Sequence, residues 1–255
     1  MSRLLFSIAV FAGVLAGQSL PRTPDGKPDL SGVWAGPGFA HKETSNDTDV
    51  ATVAGFDTKD LPFRPGGEAL FNRKWNGDLL HDDPEALCLP DGFPREALSP
   101  YATQILQPPG FVVILYEYER FWRIIPTDGR PHPKDVELTW MGDSVGRWEG
   151  DTLVIDTVGI KEWALDDKIH KPTPDADGSY WHSDGLHVVE RIQYTSPTTA
   201  SYQVTVDDPK YFTQPWTKEY PINLHPTWTL LEFVCAENNR CEAGKCVESD
   251  AQKTR

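Results

Sequence analysis

The chain has 255 residues and a formal net charge of −14, with 38 acidic against 24 basic side chains. Such acidity argues against nucleic acid and anionic lipid surfaces as partners and leaves neutral or cationic small molecules. The length allows one sizeable core or at most two small domains.

Reading along the chain, "MSRLLFSIAVFAGVLAGQSL" has an early Arg3, an apolar run from Leu4 to Ala16 and then small residues. That layout predicts a secretory signal over residues 1–19, and hence a periplasmic or extracellular protein. The run is short for a bilayer and no later segment is longer, so no membrane insertion is expected after signal removal. From residue 20 to 255 we expect a single β-barrel domain. Residues 20–100 form an irregular and helical arm, 101–235 the barrel strands, and 236–255 a cysteine-containing tail. Within the arm, "SGVWAG" reads as one short strand. A helix is predicted from about Gly66 to Leu80, with Ala69, Leu70, Phe71 and Trp75 as a partial apolar stripe and Gly77 loosening its end. The Pro-rich stretch "DDPEALCLPDGFPREALSP" reads as an ordered loop pinned by Cys88.

After Thr103 the pattern changes to strands. "TQILQ" and "FVVILYEYE" are separated by Pro108-Pro109-Gly110, and "SVGRWE" and "TLVIDTVGI" by Gly150-Asp151, two hairpin signals. "FWRIIPT", the pair "LHVVERIQY" and "SYQVTVDD", then "WTKEYPI" and "TWTLLEFVC" complete about nine mainly antiparallel strands. The fold class is therefore all-β, a lipocalin-like barrel or curled meander with one or two short helices.

Strand alternation sorts the chemistry. In "LHVVERIQY" one face carries Leu186, Val188, Glu190, Ile192 and Tyr194, and the other carries His187, Val189, Arg191 and Gln193. Glu190 thus interrupts an apolar face, as Arg123 does between Phe121 and Ile125. A buried carboxylate either pairs with a cation or keeps its proton and becomes suited to acid–base work. The loop "PTDGRPHPKD" places Asp128, Arg130 and His132 between stiffening prolines, a plausible rim for a site. There Glu190 or His132 would transfer a proton, Arg123 and Arg130 would stabilise developing negative charge, and Asp128 would orient His132. His182 and His187, on the stretch entering the Glu190 strand, and Trp148 near the Gly-Asp hairpin are candidate substrate-binding residues. Ser183 with His182 and Asp184 suggests a triad, but no nucleophile elbow supports it. A metal site from His132, His182 and His187 would need the two loops to meet, and no metal or other cofactor is expected. The four cysteines, in an exported chain, point to disulfides. Of three connectivities, Cys88–Cys235 with Cys241–Cys246 is preferred.

The stretches "PDGKPDLSGVW", "DDPEALCLPDGFPR", "RIIPTDGRPHP", "GDSVGRWEGDTLVIDTVG", "SDGLHVVERI", "VDDPKYFTQPW" and "EFVCAEN" resemble a family of exported bacterial proteins of uncharacterised function. That resemblance covers most of the mature chain and implies no reaction. More loosely, "SGVWAG" ahead of a β-meander is similar to the Gly-x-Trp opening of lipocalin-like, or calycin, barrels, which implies a small-molecule cavity. Two functions follow as expectations. One is an exported acid–base enzyme (lyase, isomerase or hydrolase) acting on a neutral glycoside or aromatic compound. The other is a non-catalytic binding protein for a small apolar ligand.

Overall fold

The computed structural model describes residues 20–35, 60–82, 84–99, 101–167, 178–235, 240–242 and 245–247. The expected secretory segment, 1–19, lies outside them. Period-two burial runs through the long strands. In β10 (His187–Ser196) Val188, Glu190, Ile192 and Tyr194 are buried, and in β11 (Thr199–Asp207) Ala200, Tyr202, Val204 and Val206 are. Each strand therefore has one face for a common interior, and a sheet with one buried face curls to enclose it. Nine strands do so in the order β5-β4-β3-β1-β12-β11-β10-β7-β6, giving a mostly antiparallel, nearly closed barrel.

The remaining barrel strands are β1 (Gly32–Ala35), β3 (Thr103–Leu106), β4 (Phe111–Tyr116), β5 (Trp122–Pro126), β6 (Asp143–Glu149), β7 (Thr152–Val158) and β12 (Trp216–Leu224). The two hairpin signals form as expected: β3 pairs with β4 across the Pro-Pro-Gly turn, and β6 with β7 across Gly150-Asp151. Gly150 has φ 60, a left-handed conformation that glycine adopts without a Cβ penalty. The strand from the N-terminal arm, β1, pairs with β3 on one side and β12 on the other. The sheet's two edges, β5 and β6, face each other with no ladder between them among the described residues. Gly146 lies at this seam, where an added Cβ would meet methyl groups of Ile125 and Thr127 at 3.0 Å.

Three segments differ from the sequence reading. The helix predicted from Gly66 to Leu80 contracts to α1 (Gly67–Phe71). Its apolar stripe does not hold, because Leu70 is half exposed while Phe71 is buried against Phe63, Tyr180 and Phe212. The chain then extends as β2 (Asn72–Lys74) to pair with β9 (Gly178–His182), which pairs in turn with β8 (Trp163–Asp167). This three-stranded side sheet was not anticipated, since all five residues of β9 are buried and show no alternation. Second, "TWTLLEFVC" forms no strand up to Val234. Both sides of β12, the strand it follows, are already occupied, by β11 and β1. Third, His182 belongs to β9 rather than to a loop.

Short helices α2 (Leu79–Asp82) and α3 (Arg95–Leu98), with a 3-10 turn at Pro84–Leu87, lie in the stretch between β2 and β3, and α3 contacts β8 of the side sheet. Cys88 and Cys235 lie at disulfide distance, with Cα atoms 5.6 Å apart, and tie this stretch to the segment after β12. The tail forms a small hairpin of β13 (Arg240–Glu242) and β14 (Lys245–Val247), in which Cys241 and Cys246 are backbone partners. Their side chains, and the expected second disulfide, lie outside the described residues. No helix among those residues is long and apolar enough to cross a membrane.

Candidate functional site

Alternation points Arg123 of β5 and Glu190 of β10 into the barrel, and they meet there. Arg123 Nη1 donates to Glu190 Oε1 at 3.0 Å and Nη2 to Oε2 at 2.6 Å, a two-pronged ion pair at 3% and 1% residue exposure. Neighbouring strands supply the rest of its hydrogen bonds. Nη2 also donates to Ser144 Oγ of β6 and Thr157 Oγ1 of β7, at 2.9 and 2.8 Å, and Nη1 to the Tyr116 hydroxyl of β4 at 3.3 Å. Tyr202 of β11 donates to Glu190 Oε1 at 2.7 Å. The guanidinium lies over the Phe93 ring, 4.1 Å from its centre. Burial opposes its charge, but Glu190 more than offsets this and the guanidinium stays protonated. Burial, reinforced by Glu190, pushes the phenols of Tyr116 and Tyr202 upward, so both remain neutral.

Above this network lies a cavity. It has a volume of about 40 Å³ and opens to solvent at a mouth, which is room for more than one water and not for a large ligand without displacement of the mouth. Trp34, Ile105, Ile114, Ile192 and Ile222 form its apolar walls, and Tyr116, Tyr202, Glu190 and Thr103 supply polar groups. Trp34 spends its indole N–H on the Leu30 carbonyl at 2.9 Å.

His132 and His187 sit elsewhere. Thr157 of β7 faces inward to Arg123, so its neighbour Asp156 faces outward, where both histidines find it. His132 Nε2 and His187 Nε2 each lie 3.0 Å from Asp156 Oδ1, and His132 Nδ1 lies 2.6 Å from Asp143 Oδ1. With a carboxylate on each ring nitrogen, His132 makes both bonds only as an imidazolium. Burial works against that charge, but the bonds to Asp143 and Asp156 outweigh it and raise the imidazole above its ordinary value. The residue that orients His132 is thus Asp143 with Asp156, and not Asp128. Asp128 instead pairs with exposed Arg130, Nη2 to Oδ2 at 2.6 Å, which holds its carboxyl down at about 2.

His182 is buried apart from both, with Nδ1 3.1 Å from the Ser183 carbonyl; burial lowers its imidazole to about 4. It does not approach His132 or His187 as a shared ligand set would require, and no group of three or more His, Cys, Asp or Glu among the described residues is arranged to hold a metal. Ser183 Oγ and N both donate to Asp208, at 2.7 Å each, so its hydroxyl is a structural tie and not a nucleophile. Trp148 is partly buried against the core, away from the cavity walls.

One group escaped the sequence reading. Glu96 of α3 is 1% exposed, and both carboxyl oxygens lack a hydrogen-bond partner among the described residues. Burial, then the charges of Asp91, Glu119 and Glu85, holds its proton far above the usual carboxyl range. A single carboxylate in a Pro-rich loop carries no pattern that would reveal this. Its neighbour Ala97 lines the cavity.

No family model, no curated protein and no solved structure matches the chain. The reading of the site therefore rests on its own chemistry.

Proposed function

We propose that the protein is exported and binds a small, largely apolar molecule inside its barrel. The observation that carries this reading is the apolar cavity built over a buried, internally neutral network of Arg123, Glu190, Tyr116 and Tyr202. Apolar walls with a few fixed polar groups are the usual makeup of small-molecule sites. The cysteine pair at disulfide distance and the apolar N-terminal run support export. The same geometry favours binding over the acid–base enzyme. Glu190 already accepts three hydrogen bonds and faces its cation, and His132 lies on the other side of the sheet wall, so the two do not reach one substrate.

The test is a titration of the full chain with toluene, α-methylstyrene and acetophenone, followed by ligand-observed NMR. Saturable binding is expected, and Ala35→Phe, which fills the cavity from β1, should weaken it at least tenfold while leaving the near-UV circular dichroism intact. Absence of saturable binding by all three, or binding indifferent to Ala35→Phe, overturns the proposal.

A further inference from the structure

The cavity's polar groups differ in what they have left to give. Glu190 accepts from Arg123 through both oxygens and from Tyr202, whose only hydroxyl proton is spent on that bond. Tyr116 is different. Its hydroxyl oxygen accepts from Arg123 Nη1 at 3.3 Å, and its own proton goes to no acceptor among the described residues. The residue is 4% exposed, lines the cavity and stays a neutral phenol. Thr103 also lines the cavity but is only half-buried, so its hydroxyl is within reach of solvent. A buried donor left idle is unfavourable, and a ligand acceptor would relieve it.

The charges set the other half of the specificity. Arg123 and Glu190 cancel, so the cavity holds no free charge to meet that of an ion. A ligand anion would be brought beside the Glu190 carboxylate, and either ion would lose its hydration for no partner.

We infer that the ligand is an uncharged, mostly apolar molecule bearing one hydrogen-bond acceptor oxygen, a ketone, aldehyde or ester, which takes the proton of the Tyr116 hydroxyl. This rests on the binding reading above and narrows it to a chemical class. Three probes of one shape separate the terms. Acetophenone has the acceptor, α-methylstyrene replaces that oxygen with a methylene, and benzoate carries a charge.

Titrated against the full chain by ligand-observed NMR, acetophenone should bind about 5- to 10-fold tighter than α-methylstyrene, the worth of one ordinary hydrogen bond. Benzoate should bind more weakly than either. Tyr116→Phe should bring acetophenone to the level of α-methylstyrene and leave the latter unchanged. Equal binding of the two neutral probes to the native chain overturns the inference while leaving the cavity as a binding site, and so does a preference that survives Tyr116→Phe. No binding of any probe overturns both. Should Tyr116→Phe fail to fold, the comparison of the two neutral probes on the native chain decides alone.

Discussion

Arg123 and Glu190 are opposite charges buried together inside the barrel. Taking two charges into a barrel costs several kcal/mol per ion, and their mutual attraction recovers it only when the remaining donors and acceptors are also satisfied. Here Ser144, Thr157, Tyr116 and Tyr202 do that. Removing one partner strands the other. Arg123→Met or Glu190→Met should each cost about 3–5 kcal/mol, and the double variant should recover at least half of the summed loss. Urea unfolding of the four proteins measures this, and additive losses would show that the pair is not coupled. Glu96 poses the reverse case. Its folded pKa is raised, so the native state keeps a proton that the unfolded chain releases above about 4.5, and stability falls as pH rises from there toward the folded value. Glu96→Met removes both the ionisation and the unpaired oxygens. It should raise stability by about 1–3 kcal/mol at pH 8 and by less at pH 4.5. A gain in urea midpoint that does not grow between those pH values contradicts a protonated Glu96.

At the scale of elements, the segment between β5 and β6 is held to the barrel by Trp140, which packs against the core and Trp163, and by backbone bonds. Thr139 exchanges backbone hydrogen bonds with Gly159 and Lys161, and Gly159, at φ 70, allows an approach that a Cβ would block at 2.1 Å from Val136. His132 supplies the charged part of the attachment. Its folded pKa is raised, so its contribution is fully present below about 6.5 and is lost as pH rises through the folded value. His132→Ala should lower stability by roughly 1 kcal/mol at pH 6, since the pair is partly solvated, and by less at pH 9. Thermal melts at the two pH values check this, and an equal loss at both would remove the imidazolium from the account.

Strand elements were legible where one face is wet. Alternation in β10, β11 and β5 placed Glu190 and Arg123 on buried faces and His187 opposite, as found. The side sheet gives no alternation because β9 is buried on both faces, and a helix from Gly66 to Leu80 needs a stripe that Leu70 breaks. Tyr116 and Tyr202 could not be singled out, since a tyrosine in a barrel strand looks the same whether it packs or donates.

For the whole molecule, the limits of sequence reading lie in what only the assembled topology decides. That Arg123 would meet Glu190 depends on which strands end the sheet, and that His132 would meet Asp143 and Asp156 depends on where a proline-rich connection crosses. Cys88–Cys235, the pairing preferred among three, does lie at disulfide distance. The position of the ion pair has a mechanical corollary. Eight of the barrel's neighbour contacts are backbone ladders, whereas the β5–β6 junction is bridged by side chains, chiefly the guanidinium reaching Ser144 and Thr157. The wall is therefore a rolled sheet fastened by one button. Unrolling along that line breaks no ladder among the described residues, but it must pull a buried charge from its counter-ion.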